Sequence, residues 1–280
     1  MSWHAHLQLD YHRNAHAQTV LQHQHHGPLR VFKSLYPEGP AVCHNVIVHP
    51  PGGLVQGDCL EVNVQVGQGA HALLSTPGAT RFYRSTTGEQ ARQTVRLHLE
   101  ADARLEWLPL ETIVYDGCQA VNHVEMHLAP GAELMAWDVV NLGLPAAQQR
   151  FAQHGRLEQQ MHWPDVWVER AVIAADDDRL LNSPVGLAGH TTLATWVLAC
   201  GSPLLRQRRE ALLACGRAVL DTHTPSGVHV GMTCPNDHML VVRALAHQVE
   251  PVMTLWQALW RAWRQEAWQM DSNPPRIWGV

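Results

Sequence analysis

The sequence is short of charge. Asp, Glu, Lys and Arg make up 16% of its 280 residues, against about 25% in an ordinary globular chain. Lysine is nearly absent, since Lys33 is the only one and the other 19 basic residues are arginines. With histidine neutral the net charge is −5, and the pI is near 6.5. That balance excludes the basic face a nucleic-acid binder presents. The six cysteines contain no C-x-x-C pair, which excludes a zinc ribbon or a thioredoxin-like motif. Residues Ser2 to Asp10 lack a basic stretch followed by an apolar run, so no secretory signal is expected there, and a reducing cytoplasm with free thiols fits best. Leu180 to Leu205 contains no Asp, Glu, Lys or Arg, but it carries Asn182, Ser183, Pro184, Gly186, Gly189 and His190. A membrane-spanning helix needs about 20 mostly apolar residues. The segment is therefore read as buried strands and turns, and no membrane partner is expected. No H-E-x-x-H, G-x-S-x-G or G-K-[ST] string appears, so the common metalloprotease, hydrolase and phosphate-loop chemistries lack their motifs.

What is abundant is histidine and period-2 patterning. Seven of the 20 histidines (His4, His6, His12, His16, His23, His25, His26) fall before residue 27. A metal-binding tail is one reading. A short strand from Leu7 to Tyr11 with a polar turn is the plainer one. From Arg30 to about Val230 apolar and polar residues alternate: Leu60, Val62, Val64, Val66; Val95, Leu97, Leu99; Val124, Met126, Leu128. Successive strand side chains point to opposite faces, so each run is a half-buried strand.

These strands share a register. The stretch beginning at Val64 aligns with those beginning at Leu97 and Met126, and each reaches an alanine after a short turn: Ala70, Ala103 and Ala132. A strand-turn-strand unit returning about every 30 residues predicts stacked layers, a β-solenoid-like fold. Three tandem hairpins in a sandwich would give the same spacing. Near the C-terminus the period changes. Val252, Leu255, Trp256, Leu259, Trp260 and Trp263 lie on one helical face, with Thr254, Gln257, Arg261, Arg264 and Gln265 on the other. A shorter helix is expected from Asn236 to His247. The expectation is one mainly β domain over residues 1–280, a β-rich body over about 1–232 and a two-helix cap over 233–270.

The densest motif is His49 to Asp58 (HPPGGLVQGD). Two prolines fix φ and two glycines permit positive φ, which makes a rigid turn between strands. Leu73 to Ser85 (LLSTPGATRFYRS) and Trp107 to Gly117 (WLPLETIVYDG) follow, and Pro275-Arg-Ile-Trp278 closes the chain. With Gly27-Pro-Leu-Arg30 and Leu35-Tyr-Pro-Glu-Gly39, these strings resemble the UreD family of urease accessory proteins, in order and over almost the whole chain. The resemblance implies a helical arrangement of strands with a small C-terminal helical part. It implies binding to a UreF-type accessory protein, through it to a UreG-type GTPase, and to apo-urease, with no catalysis. It further implies an internal route for nickel toward the urease active site, with Ni2+ held transiently and no tightly bound cofactor.

A route must hold its ion weakly at several points, or the ion is trapped, and divalent nickel accepts carboxylate, imidazole and water. Spaced carboxylates meet that need. Asp58, Glu111, Asp116 and Asp138 lie in or beside the motifs, and His49 is a further candidate. Glu111 and Asp138 follow the repeated alanines by eight and six residues, so the two are expected to face one interior channel. Each could equally be a turn or surface carboxylate. The chain departs from the family in carrying Cys118 and Asn141, so Cys118 is one candidate to replace a thiol ligand at 141, and a small buried apolar residue is its plainer reading. A glycosidase on a β-solenoid is the competing enzyme reading and needs paired carboxylates in a groove. Glu111 and Asp116, five apart on a strand, would face opposite ways. A purely structural adaptor without metal transit is the remaining alternative.

Overall fold

A computed structural model describes residues 2–279. In chain order the strands are β1 (His4–Arg13), β2 (Thr19–His26), β3 (Arg30–Val31), β4 (Val42–Val48), β5 (Cys59–Val66) and β6 (His71–Ser75). There follow β7 (Thr80–Phe82), β8 (Ala91–Leu99), β9 (Arg104–Trp107), β10 (Thr112–Val114), β11 (Gln119–Leu128), β12 (Glu133–Leu144) and β13 (Gln149–Arg150). The last are β14 (Arg156–Trp163), β15 (Trp167–Ala174), β16 (Thr192–Cys200), β17 (His229–Asn236) and β18 (Met239–Ala246). Three α-helices intervene: α1 (Asp178–Asn182), α2 (Arg206–His223) and α3 (Val249–Trp268).

The expected layering is present. One sheet runs β15-β14-β11-β8-β5-β1-β2, and the other has β17-β18-β16-β12-β9-β6-β4-β3 as its main path. The chain passes from one sheet to the other and back, so β5, β8 and β11 stack in parallel, as do β6, β9 and β12. The predicted register holds, with Val64 opposite Leu97 and Leu97 opposite Met126. Ala70, Ala103 and Ala132 are buried at the corners. Each corner links to the next, as the Arg104 N–H donates to the Ala70 carbonyl and the Glu133 N–H to the Ala103 carbonyl, both at 2.9 Å. Tandem antiparallel hairpins are therefore excluded for these three units.

Two apolar layers result. The first fills the space between the sheets and includes Leu7, Leu9, Val64, Leu97, Leu105, Met126 and Leu134. The second lies between the other face of the second sheet and the helix pair, and is rich in tryptophan: Trp137, Trp196, Trp256, Trp260 and Trp263. Helix α3 carries the face read from the sequence. Arg264 differs, because it is fully buried rather than facing solvent, held by carboxylates from two other segments.

The other C-terminal expectations need correction. Asn236 to His247 is not a helix; Met239–Ala246 is strand β18. Met239 and Val241 enter the inter-sheet layer while Leu240 and Val242 enter the tryptophan layer. A strand buried on both faces reads as a continuous apolar run, which periodicity alone does not distinguish from helix. The second helix is α2, inside the stretch read as alternating strands. Its buried residues are only Leu212, Gly216 and Val219, too sparse a stripe to show in the sequence. Gly216 has a packing reason, since a Cβ there would sit 2.8 Å from the Met232 sulfur and 3.1 Å from the Trp263 ring. The expected break between body and cap at 232/233 likewise falls inside β17.

Gly201, just past β16, donates its N–H to the Ala132 carbonyl at 2.8 Å, and a Cβ there would lie 1.9 Å from the Ala129 carbonyl oxygen. Backbone cannot yield as a side chain does. Gly201→Ala is expected to lower stability by about 1–3 kcal/mol, read as a lowered urea midpoint with an unchanged slope.

Candidate functional site

Between the sheets the apolar layer is interrupted by a cavity of about 230 Å3. Its walls include Leu60, Val62 and Val95 from one sheet and Trp107 and Trp137 from the other side. Exposed Gly52, Pro77 and Gly78 also line it, so it opens between the HPPGG turn and the loop at 76–79. The rigid turn noted in the sequence thus forms one lip.

Polar groups cross this interior in a row. Along β8, β11 and β14 the inward phase carries Gln93, Asn122 and Gln159 where its other members are apolar. Gln93 pairs in register with Asn122, and Asn122 with Gln159. Opposite them, on β12, stands Asp138. The Gln159 amide donates to Asp138 Oδ2 at 2.5 Å and the Asn122 amide to the same oxygen at 3.4 Å. Gln93 donates to Asn122 Oδ1 at 3.2 Å. Burial pushes the Asp138 carboxyl up to about 6, with the Gln159 hydrogen bond opposing and the nearby Glu169 charge adding to the rise.

Asp138 also lines a second, smaller cavity of about 70 Å3 on its far side, with Gln159, Glu169, Leu193 and Thr195. Glu169 accepts from the Thr195 hydroxyl at 2.8 Å and from Arg243 Nε at 2.8 Å. The buried carboxylate therefore stands between two hollows, one open past His49 and one leading to Glu169.

The five residues singled out from the sequence separate cleanly. His49 and Asp138 both line the larger cavity. His49 Nε2 is buried and has no hydrogen-bond partner; burial lowers the pKa of its ring, and the Asp58 charge offsets this in part. Glu111 is not in the lining, although its neighbours Leu110 and Thr112 are. Glu111 lies in the loop between β9 and β10, and the expected pairing of Glu111 with Asp138 is not found in the lining of this cavity. Asp58 is buried but committed to a turn, accepting from the Trp3 N–H at 2.7 Å and the Val55 N–H at 2.9 Å. Asp116 accepts from the N–H groups of Ala152, Gln153 and His154 at 2.8–3.2 Å. Burial alone would raise its pKa, but these bonds outweigh it and the net shift is downward. Cys118 is buried, and burial pushes its thiol up to about 11, so it is a small apolar filler rather than a thiolate.

Gln93, Asn122, Gln159 and Glu169 were missed. For the first three the signal was present as polar residues at the inward phase of otherwise apolar strands. Glu169 had none, since β15 alternates without a clear apolar face.

A protein-family comparison matches residues 4–279 to the family described as UreD urease accessory protein. The chain belongs to the UreD family. Curated UreD relatives include the urease accessory protein UreD of Albidiferax ferrireducens, 55% identical over 280 residues, and that of Polaromonas sp. strain JS666, 53% identical over 280 residues; each comparison covers 100% of both chains. The protein of Methylibium petroleiphilum with the same name is 47% identical over 296 residues, covering 99% of each chain. No helix among the described residues of this UreD chain is long and apolar enough to cross a membrane.

Proposed function

We propose that this protein is a non-catalytic scaffold of urease maturation in the cytoplasm. It binds a UreF-type accessory protein, through that protein a UreG-type GTPase, and apo-urease, and it lets Ni2+ pass through its interior toward the urease active site. The observation that carries this reading is the position of Asp138. A buried carboxylate is costly, yet here one lies between two cavities with amides aimed at it. Neutral amides and a single carboxylate give an ion oxygen ligands without enclosing it. His49 sits at the outer cavity with an unpartnered ring nitrogen, suited to first capture.

Gly78 gives a direct test. It lines the larger cavity, and a Cβ there meets nothing within 4 Å, so Gly78→Trp occludes the entrance without crowding the core. The variant is co-expressed with the UreF-type and UreG-type proteins and the cognate apo-urease. Complex recovery is expected to stay normal while nickel-dependent urease activation falls by about tenfold, which is roughly 1.4 kcal/mol in an effective barrier. Full activation with an intact complex would remove the transit reading and leave the structural adaptor.

A further inference from the structure

Away from the interior row, three histidines meet at one end of the second sheet. His190 precedes β16, His229 opens β17 and His247 follows β18. The His190 ring centroid is 4.5 Å from that of His247 and 4.9 Å from that of His229. Imidazoles bound to one ion through nitrogens at about 2.1 Å, at octahedral to tetrahedral angles, have centroids roughly 4.5–5.5 Å apart. Both separations fall in that range.

The middle ring is already oriented. His190 Nδ1 lies 2.8 Å from the Leu187 carbonyl oxygen. That contact makes Nδ1 the donor and leaves Nε2 with its lone pair, the arrangement that usually supports a ligating histidine. His229 and His247 are exposed and free to turn. In the present rotamers no three His, Cys, Asp or Glu side chains among the described residues form a metal cage. His229 stands in the β17–β18 ladder, and His190 and His247 lie just beyond the end of the β16–β18 ladder at Thr192 and Ala246. Packing rings of one kind against each other at a surface has little hydrophobic reward, whereas a shared ion rewards it.

We propose that His190, His229 and His247 form a surface site for a divalent first-row transition-metal ion, bound by three neutral imidazoles with water completing the shell. Imidazole donors suit zinc, nickel and copper and do not suit magnesium or calcium. The site adjoins the smaller cavity along the sheet, since His229 pairs with Leu245, and Leu245 pairs with Leu193 in that cavity's wall. It does not depend on the transit reading, because binding by the isolated full chain suffices to establish it.

The test is competition of the full-length protein with a chromophoric chelator for Zn2+ and for Ni2+. Three variants are compared with the unaltered chain: His190→Ala, the double variant His229→Ala/His247→Ala, and His23→Ala/His25→Ala, which removes a stacked pair elsewhere. The tightest site is expected to weaken at least about tenfold in the first two and to persist in the third. The double variant alters only exposed side chains and so reports even where His190→Ala disturbs the loop at 187–190. Equal affinity in the unaltered chain and the double variant overturns the proposal, and so does equal weakening in the His23/His25 variant.

Discussion

Arg264→Met is expected to destabilise the protein by about 3–5 kcal/mol, the usual cost of stranding a buried charge. Arg264 is fully buried on α3. Its Nη2 lies 2.7 Å from Glu38, its Nη1 donates to the Asp271 carbonyl at 2.8 Å, and its guanidinium carbon lies 4.9 Å from the Trp260 ring centre. Its Nε is 3.3 Å from Glu106, an ion-pair distance whose geometry does not make a hydrogen bond. Glu106, itself fully buried, also meets His71 at 2.7 Å and accepts from the Trp260 indole. Burial would raise the pKa of Glu106, yet His71 and Arg264 outweigh it and hold the carboxyl below its ordinary range. Glu38 is held low against burial by His44 and Arg264.

Methionine fills the volume but removes the one full cation from both carboxylates, leaving Glu38 with His44 and Glu106 with His71 and the Trp260 indole. Urea denaturation at neutral pH measures the loss. A loss below about 1 kcal/mol would show that helix packing alone seats α3. The pH dependence has a defined sign. Both folded pKa values lie below the unfolded one, so the stabilisation is present above that unfolded value and is lost as pH falls through the folded values. Unaltered protein should therefore lose stability in acid more steeply than a variant in which Glu106, Glu38 and Arg264 are all replaced by neutral residues.

Asp138→Asn should act in the opposite direction. The folded carboxyl releases its proton near 6 rather than near 3.8. Between those values the native state binds more protons than the unfolded one, so stability falls as pH climbs through the window. Above it the charged carboxylate costs about 3 kcal/mol at most, two pKa units at about 1.4 kcal/mol each. Asparagine removes that cost and still offers an oxygen to Gln159. The variant should be more stable than the parent at pH 8 by up to that amount and indistinguishable from it near pH 4, by urea denaturation at both. Urease activation in the co-expressed system should fall meanwhile. A variant no more stable at pH 8 than its parent would mean that the folded carboxyl is not raised, because it is solvated or otherwise compensated within the cavity.

Much of this architecture was legible beforehand, and the reason is local. Val64, Leu97 and Met126 declared their stacking because every coil repeats one alternation and one corner alanine. The α3 face was legible because six apolar residues keep a 3.6 period. Legibility failed where a strand is covered on both sides, as in β18, and where a helix presents little to its neighbours, as in α2. At the site, His49 was selected by motif and Asp138 by its offset from the repeated alanine at 132. Asp58 and Asp116 come from the same motifs but serve turns, and no sequence feature separates a carboxylate that ties backbone N–H groups from one that faces a cavity. The amides were harder still, because glutamine and asparagine on a strand pass for solvent-facing residues until the neighbouring coils fix the phase.

Parallel coils also act as a ruler. Neighbouring strands lie about 4.8 Å apart, and the row from Leu60 through Gln93 and Asn122 to Gln159 climbs one strand per coil. The reach between the His49 lip and the Glu169 end is therefore counted in whole coils. Duplication or loss of a 30-residue unit would displace one end relative to the other by a single fixed step, while the residues at each end keep their local surroundings.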